Sequence, residues 1–322
     1  MKKVTNQLLI ILMLSVLMIG CSKQLEQGGD AEMNKQPATT INGEDIVITM
    51  LDGKYEELYN QFSSDMKEAV SLKDFEEIGK EFVQGETFEL ASSFEANGYK
   101  FITWSNQKAE RKGIHVIMDE QANIAGLQVK DLATYPETDG QYSDTVFQLP
   151  FQDDWFVFWG GNDVFLNYHY EYDEVRYAYD FVKVKDGYSF EGDPLLNESY
   201  YAFDQPVLAP AAGTVIAVVD GIEDNIPGEM NEAQPEGNMV VIQHENGEKS
   251  ILAHFKKDSI VVSMGDTVDA GQLLGTCGNS GNSSEAHIHF QVTKQQDDGS
   301  ELVIPVSFDG GKQWIRGDIA TP

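Results

Sequence analysis

Two histidines near the end of the chain, His287 and His289, have a spacing that suits shared chemistry. They lie in the run His287-Ile288-His289-Phe290-Gln291-Val292, whose apolar and β-branched residues are typical of a strand. Side chains two residues apart on a strand point to the same face. Both imidazoles would therefore share one face, and imidazole serves both as a metal ligand and in proton transfer. For this run taken alone, the alternatives are a chance occurrence and a surface pair.

His169 and Asp180 form a second candidate pair. His169 ends the run Asn167-Tyr168-His169, and Asp180 lies in the run Arg176-Tyr177-Ala178-Tyr179-Asp180-Phe181. If Asp173-Glu174 make a tight hairpin turn, Asp180 is the diagonal neighbour of His169 on one face, and such neighbours lie about 7–8 Å apart. A loop one residue longer would send the two side chains to opposite faces. The spacing therefore permits a shared site without requiring one.

A fifth residue, His254, ends the apolar run Ser250-Ile251-Leu252-Ala253-His254-Phe255. Alone, a histidine in this setting is typical of a packed core. Together with the two pairs above, it completes a set that suits hydrolysis. A catalytic zinc ion takes three protein ligands with N or O donors and leaves one position for water. Imidazoles that do not bind the ion can then accept a proton or steady a developing oxyanion.

The stretch from Trp159 to Val292 resembles the lysostaphin-like zinc metallopeptidases, which cleave peptide bonds in the peptidoglycan of bacterial walls. The pieces that carry the resemblance are VLAPAAGTV (207–215), GNMVVI (237–242), LAH (252–254), VDAGQLLG (268–275) and GNSGNSS (278–284), which leads into HIH (287–289). This ordered series implies a peptidoglycan endopeptidase with one zinc ion per chain. It also implies the antiparallel, hybrid-barrel type of β-sheet found in that family.

The resemblance assigns roles to residues that match the family motif. His289 and Asp180 match zinc ligands, whereas His287 and His254 match two catalytic histidines that do not bind the ion. The remaining ligand usually lies four residues before the aspartate, and Arg176 occupies that place here.

We predict that His169, eleven residues before Asp180, supplies the missing ligand. The alternative is a degenerate site that has lost a ligand. We also expect Arg176, Asn279 and Ser280 to lie in the substrate groove. The acidic insertion from Asp220 to Glu236 is expected to be a loop at the rim of the groove, with a calcium site as the alternative.

The surrounding pattern predicts two domains. Residues 44–90 show helical spacing of apolar residues, with a helix start at Ser71 and Asp74, and residues 87–129 read as strands with an Asn97-Gly98 turn. We therefore expect a small α+β domain of unknown function over residues 44–132. A mainly β peptidase domain is expected over residues 133–322. The lone histidines His115 and His244 are predicted to be structural.

The N-terminus is typical of a targeting segment. Lys2 and Lys3 precede an apolar run, and Met18-Ile19-Gly20-Cys21 resembles a bacterial lipobox. We predict a signal peptide over residues 1–20, lipidation of Cys21 and a flexible tether over residues 21–43. The protein would then face the cell wall from outside the cytoplasmic membrane. An ordinary secretory signal is the alternative.

Composition excludes some partners and pairings. The formal net charge is -31, from 22 basic and 53 acidic residues, so nucleic acid and anionic headgroups would repel the chain. Cys277 is the only cysteine besides Cys21, so with Cys21 acylated no disulfide forms within the chain, and Cys277 is expected to be a buried residue.

The sequence leaves two other functions open. A catalytically silent, zinc-bound or empty protein that regulates another wall hydrolase would share most of these residues. A carrier-type hybrid barrel is a third hypothesis, because the phrases near residue 270 also occur in biotinyl-type and sugar-phosphotransfer barrels. The chain shows no modifiable lysine at a hairpin tip, which disfavours the carrier.

Overall fold

The structure is a computed structural model that describes residues 40–322. The predicted signal peptide, Cys21 and all of the tether before residue 40 lie outside the described residues. One compact unit ends at Leu132 and a second begins at Ala133. Within the described part, no helix is both long and apolar enough to cross a lipid bilayer.

The first unit has short helices followed by an antiparallel sheet with strand order β1-β2-β3-β4. The 3-10 turn Gly43–Asp45 leads into the helices, and Ser71 caps the last of them by accepting a hydrogen bond from the Asp74 amide at 3.2 Å. The elements are α1 (Ile46–Leu51), α2 (Tyr55–Asn60), α3 (Ser64–Ala69), α4 (Leu72–Val83), β1 (Glu89–Ala96), β2 (Tyr99–Ser105), β3 (Arg111–Asp119) and β4 (Ile124–Leu132).

Apolar side chains of these helices pack on the sheet to form a core of their own, as Ile46, Leu58, Ile102 and Ile114 illustrate. The buried His115 bonds through Nδ1 to Thr103 Oγ1 at 2.8 Å, within this sheet. The predicted order of helices followed by strands is confirmed.

The regular elements of the second unit are strands and short 3-10 turns, joined by long irregular segments. Its strands are β5 (Val146–Phe147), β6 (Trp155–Trp159), β7 (Tyr179–Val182), β8 (Pro206–Leu208), β9 (Gly213–Val219), β10 (Asn238–Gln243), β11 (Glu248–Phe255), β12 (Thr267–Val268), β13 (Leu273–Thr276), β14 (Ile288–Gln295), β15 (Glu301–Ile304), β16 (Ser307–Phe308) and β17 (Ile319–Ala320). Short 3-10 turns span Tyr168–Glu171, Asn197–Ser199 and Asp309–Gly311.

The main sheet has the order β12-β9-β10-β11-β14-β7-β6-β17, with β15 added beside β14. All of its pairs are antiparallel, and β13 with β8 and β16 with β5 form two small additional pairs. This sheet and the helical unit before it confirm the predicted fold class.

Strand β14 lies at the centre of the sheet, between β11 and β7. Ile288, Phe290 and Val292 point into the core of this unit and are almost completely buried. The alternate residues His289 and Gln291 therefore point to the opposite face. The core fixes which side chains of β14 are available for chemistry.

Candidate metal centre

Asp180 and His289 are direct cross-strand partners on β7 and β14. Asp180 Oδ1 lies 2.9 Å from His289 Nδ1, and both residues are buried. Directly opposed residues in an antiparallel pair have Cβ atoms about 4.5–5.5 Å apart, so sheet register alone brings these side chains together.

His169 reaches the same carboxylate from a different kind of element. The structure shows no hairpin at this place, because residues 168–171 form a 3-10 turn capped by the side chain of Asn167. Asn167 also donates to the Ala178 carbonyl at 2.9 Å, which ties the turn to the chain just before β7. His169 Nε2 then lies 2.9 Å from Asp180 Oδ2. His169 and Asp180 are close together, as predicted. The tight hairpin on which that prediction rested is wrong.

His287 precedes β14 and faces the same cluster as His289. Its Nδ1–H donates to the carbonyl of Glu285 at 2.9 Å, and its Nε2 lies 3.7 Å from Asp180 Oδ1. A neutral imidazole that donates through Nδ1 carries its lone pair on Nε2. The free lone pair of His287 is therefore on the side of Asp180.

His254, the last but one residue of β11, has a φ of +66°, in the left-handed region. A residue with a Cβ atom rarely occupies this region, and doing so costs of order 1–3 kcal/mol. The conformation is held by main-chain bonds to Glu236 and Gly278 and by donation from Nδ1–H to the carbonyl of Ser280 at 2.8 Å. The result is a buried imidazole whose ring centroid lies 4.6 Å from that of His287.

Gln291 is a site residue that the sequence-based reasoning missed. Its Oε1 lies 2.9 Å from His289 Nε2, and its Nε2 donates to the carbonyl of Glu174 at 3.1 Å. The Asp180 and Gln291 oxygens on its two ring nitrogens raise the pKa of His289, although burial opposes this. Because Gln291 engages Nε2, Nδ1 is the nitrogen left to bind a metal ion. The signal was present in the sequence, since Gln291 follows His289 by two residues on the same strand.

The cluster is electrostatically unusual because one buried carboxylate meets three imidazoles. Burial by itself raises the pKa of Asp180, but the charges and hydrogen bonds of the histidines outweigh it and hold the pKa well below its usual value. Burial lowers the pKa of His169 and, more strongly, that of His254. Asp180 is thus an anion, and these two imidazoles are neutral with lone pairs available.

The donor set fits a divalent metal ion. Single donor atoms of His169, Asp180 and His289 all lie within 4.8 Å of one another. Among the described residues, Asp180 pairs with the imidazoles of His169, His287 and His289, and with no lysine or arginine. Two imidazole nitrogens and one carboxylate match the donors that catalytic zinc takes from proteins. His254 and His287 remain beside this triad without being needed as ligands.

One ring nitrogen of the triad, His169 Nδ1, is buried without a hydrogen-bond partner among the described residues. The imidazole is instead fixed by packing, since the Tyr168 ring centroid lies 4.0 Å from it. Tyr168 in turn packs edge-on against Trp159 at 5.2 Å. The rings of Tyr168 and Trp159 thus fix the one candidate ligand that does not come from the sheet.

The residues expected in the substrate groove call for a correction. Arg176, Asn279 and Ser280 are all buried, with exposed fractions of 7%, 0% and 0%. The Arg176 guanidinium lies 3.2 Å from the centre of the Tyr135 ring and donates to the Tyr170 carbonyl at 2.8 Å. Such burial leaves almost no side-chain surface for a substrate.

Asn279 and Ser280 instead support the site through hydrogen bonds to neighbouring segments. The Asn279 amide accepts from Ser283 at 2.7 Å and donates to Asn197 at 3.0 Å. Ser280 holds His254 through its carbonyl, while its hydroxyl donates to the Phe255 carbonyl at 2.8 Å. Ser280 therefore holds the ring of His254, and Asn279 holds Ser283.

The acidic insertion, residues 220–236, packs against residues 278–284. Asn225 donates to the carbonyls of Gly281 and Ser283 at 2.7 and 2.9 Å, and the Gly228 amide donates to Ser284 at 2.8 Å. Within residues 40–322, the carboxylates of the insertion join no group of three or more metal-ligating side chains. The insertion is a loop packed on residues 278–284.

His244 and Cys277 are buried away from this cluster. His244 bonds to the Ala212 carbonyl and to Ser250 Oγ, each at 2.9 Å. Cys277 is a free thiol that is 1% exposed, and burial raises its pKa. Neither residue faces the metal centre.

Residues 200–300 match the family described as Peptidase family M23. The matched segment includes His254, His287 and His289. The other two members of the cluster, His169 and Asp180, precede it.

Solved structures give further similarities. The catalytic domain of lysostaphin from Staphylococcus simulans is 26% identical, with 34% of this chain and 78% of that chain covered and a TM-score of 0.22. A Ruminococcus gnavus protein, provisionally described as glycyl-glycine endopeptidase lytM, is 22% identical, with 40% and 43% covered and a TM-score of 0.27. A Pseudomonas aeruginosa protein, provisionally described as a peptidase M23, is 16% identical, with 69% and 82% covered and a TM-score of 0.30. This chain thus spans less than half the length of the Ruminococcus protein.

Proposed function

We propose, on the premise that this chain carries a peptidase domain of the lysostaphin/LytM type, that it is a zinc-dependent endopeptidase acting on peptidoglycan. The proposal rests on one observation: two sets of residues with different chemical roles lie side by side. His169, Asp180 and His289 present a ligand triad, and the imidazoles of His254 and His287 lie beside it. Three ligands with adjacent proton acceptors are what hydrolysis by a metal-activated water requires.

A zinc ion held by His169, Asp180 and His289 would supply a Lewis acid that lowers the pKa of bound water to about 7 and polarises a peptide carbonyl. The protein supplies the proton acceptor. His287 has Nδ1–H fixed by the Glu285 carbonyl, so its Nε2 accepts the proton of the attacking water. The imidazolium that results is placed to donate that proton to the departing amine.

His254 presents a second oriented imidazole. Its Nδ1–H is committed to the Ser280 carbonyl, and burial keeps the ring neutral until a proton arrives. Its ring lies against that of His287, so a proton gained by one ring disfavours protonation of the other. We propose that His254 is a second proton acceptor, which takes the proton in place of His287 and not together with it, and that its left-handed backbone conformation is retained for this orientation.

Release of soluble fragments from purified peptidoglycan tests this function. The full chain in detergent would be incubated with zinc, with a chelator, and in parallel with the variants His289→Ala and His287→Ala. We expect zinc-dependent release by the wild type and none by either variant. Zinc should be lost in His289→Ala and retained in His287→Ala, because only His289 belongs to the ligand triad. Equal zinc loss in both variants would contradict the assigned roles.

Wall binding by a folded, zinc-loaded protein without any cleavage would contradict the endopeptidase. It would favour instead a regulator of another wall hydrolase. A gain in the activity of a separate hydrolase on addition of this chain would then be the positive sign of that second function.

We also propose that the chain acts outside the cytoplasmic membrane, anchored through a lipid on Cys21. The support is the lipobox-like sequence around Cys21, which lies outside the described residues. Mass spectrometry of the N-terminal peptide, together with fractionation of cells that express Cys21→Ala, tests the anchor. We expect acylated Cys21 in the membrane fraction and loss of membrane retention in the variant. An unmodified Cys21 in a membrane-retained protein would contradict this.

A further inference from the structure

Glu285 is a buried acid that the proposed reaction does not use, and it lies two residues before His287. Glu285 is 1% exposed. Buried carboxyl groups are usually paired or fully hydrogen-bonded, because an uncompensated charge in the interior is costly. Glu285 is thus a buried acid two residues from His287, with no charged partner among the described residues.

The main chain of Glu285 holds the catalytic imidazole. Its carbonyl accepts from His287 Nδ1–H at 2.9 Å, and it lies 2.8 Å from the hydroxyl of Ser283. The Ser283 hydroxyl also lies 3.1 Å from His287 Nδ1. The position of this carbonyl thus decides which nitrogen of His287 carries the proton and where the lone pair points.

The side chain of Glu285 has one partner and one orphan oxygen. Oε2 accepts from the hydroxyl of Ser189 at 2.8 Å, whereas Oε1 has no hydrogen-bond partner among the described residues. A carboxylate here would leave a negative charge with a single neutral donor. The protonated acid needs far less compensation, and burial accordingly raises the pKa of Glu285 to about 8.

The other titratable groups that face this carboxyl are Tyr200 and Cys277. Burial raises the pKa of both, and the charge of Glu285 raises each further, so both are neutral when Glu285 ionises. On its own segment the neighbouring titratable group is His287. No lysine or arginine among the described residues is paired with Glu285, so its ionised form has no cation to satisfy it.

We propose that Glu285, as a neutral buried acid bonded to Ser189, is a positioning residue that holds the turn of residues 283–287 so that its own carbonyl orients His287. Loss of the proton would place a charge in this apolar setting and draw the side chain towards water. The turn would shift, and the hydrogen bond from His287 Nδ1–H to the carbonyl would weaken. The catalytic role of His287 in this inference rests on the proposed function; the tautomer of His287 does not.

Glu285→Gln is the decisive variant, because glutamine keeps the shape and neutrality of the acid but does not ionise. The pH profile of peptidoglycan hydrolysis would be measured for the wild-type full chain, Glu285→Gln, Ser189→Ala and the control Glu245→Gln, which removes an exposed carboxylate at a turn. One pH unit above its pKa an acid is about one-tenth protonated. We expect the wild type and Glu245→Gln to fall about tenfold by pH 9, whereas Glu285→Gln keeps its activity.

Ser189→Ala provides a second, milder variant. The Ser189 hydroxyl stabilises the ionised form by donating to it, so its removal should move the alkaline midpoint to higher pH. An alkaline loss that is identical in the wild type, Glu285→Gln and Ser189→Ala would overturn the inference.

Nitrogen NMR of His287 in the same proteins gives a readout that does not need activity. We expect the Nδ1-protonated tautomer at pH 7 in both wild type and Glu285→Gln, and its retention at pH 9 only in Glu285→Gln. If no protein hydrolyses peptidoglycan but the tautomer changes as stated, the peptidase proposal fails and the positioning role stands. If the tautomer in the wild type is insensitive to pH, the positioning role fails whatever the activity.

Discussion

Asp180 and His289 face each other across β7 and β14, with Asp180 Oδ1 2.9 Å from His289 Nδ1. Their closeness follows from strand register, so it is built into the most buried part of the sheet. The remaining members of the cluster reach this pair from less regular segments, namely a 3-10 turn, the end of β11 and the residue before β14. We expect the central pair to be the least mobile part of the site.

Replacing Gln291 should weaken the metal site without touching a ligand. In Gln291→Leu, His289 loses the acceptor that fixes its proton on Nε2, so the Nδ1 lone pair is no longer the preferred form. Loss of such a supporting partner typically costs 10–100-fold in metal affinity. Competition with a zinc-binding dye measures this, and Gln243→Leu, at an exposed end of β10, is the control. Equal affinities in both variants would show that Gln291 plays no such part.

A methyl group at Gly237 should disturb His254 from a distance. Gly237 has a φ of +59°, and a Cβ atom there would lie 2.5 Å from the Ser280 carbonyl oxygen, which holds His254 Nδ1–H. Gly237→Ala should therefore lower hydrolysis at least about tenfold while zinc content is unchanged, because a shift in a catalytic group that is worth about 1.4 kcal/mol changes a rate tenfold.

The matched control for that prediction is Gly247→Ala. Gly247 also has a positive φ, of +82°, but a Cβ atom there would meet nothing within 4 Å. Both variants carry the backbone cost of a left-handed alanine, so the difference between them isolates the contact with Ser280. Similar activity in both variants would show that the Ser280 carbonyl does not hold His254 in its active orientation.

Glu285 should also impose a pH dependence on stability. Its pKa is about 8 in the folded protein, against an ordinary value of 4.5 that we take for the unfolded chain, so between these values the folded state binds more protons than the unfolded state. The free energy of unfolding should then fall as pH rises through this window, by up to about 1.4 kcal/mol per pH unit, and level off above pH 8. Denaturant unfolding of Glu285→Gln between pH 5 and pH 8 should lack this slope. A slope equal to that of the wild type would mean that Glu285 is ionised throughout.

Arg176→Lys should destabilise the protein although charge is conserved. The planar guanidinium lies 3.2 Å from the Tyr135 ring centre and donates to the Tyr170 carbonyl, and a lysine ammonium reproduces neither contact well. We expect a loss of about 1–3 kcal/mol in the free energy of unfolding, from the stacking and the buried hydrogen bond. Denaturant titration measures it. An unchanged midpoint would show that the stack contributes nothing.

Much of the site was predictable from local pattern. The alternation of His289 with Ile288 and Phe290 fixes its face, because a strand with one buried face admits only one register. His254 at the end of an apolar strand was equally visible, whereas its left-handed conformation was not, since that depends on the distant Ser280 carbonyl and on close approach of Gly237.

The path of the chain around His169 was not predictable in the same way. A tight hairpin and a capped 3-10 turn place His169 near Asp180 equally well, and the choice depends on a bond from Asn167 to Ala178 that local sequence does not reveal. Arg176 looked like a groove residue because of its place in the motif. Its burial follows from aromatic partners earlier in the chain, which spacing to Asp180 could not indicate.

In the proposed function, His169 and not the residue at position 176 completes the metal site. Zinc content of the purified full chain, measured by elemental mass spectrometry after dialysis, tests it most directly. We predict about one zinc ion per chain in the wild type and in Arg176→Lys, and almost none in His169→Ala. Retention of one zinc ion in His169→Ala, with the protein still folded, would contradict the account.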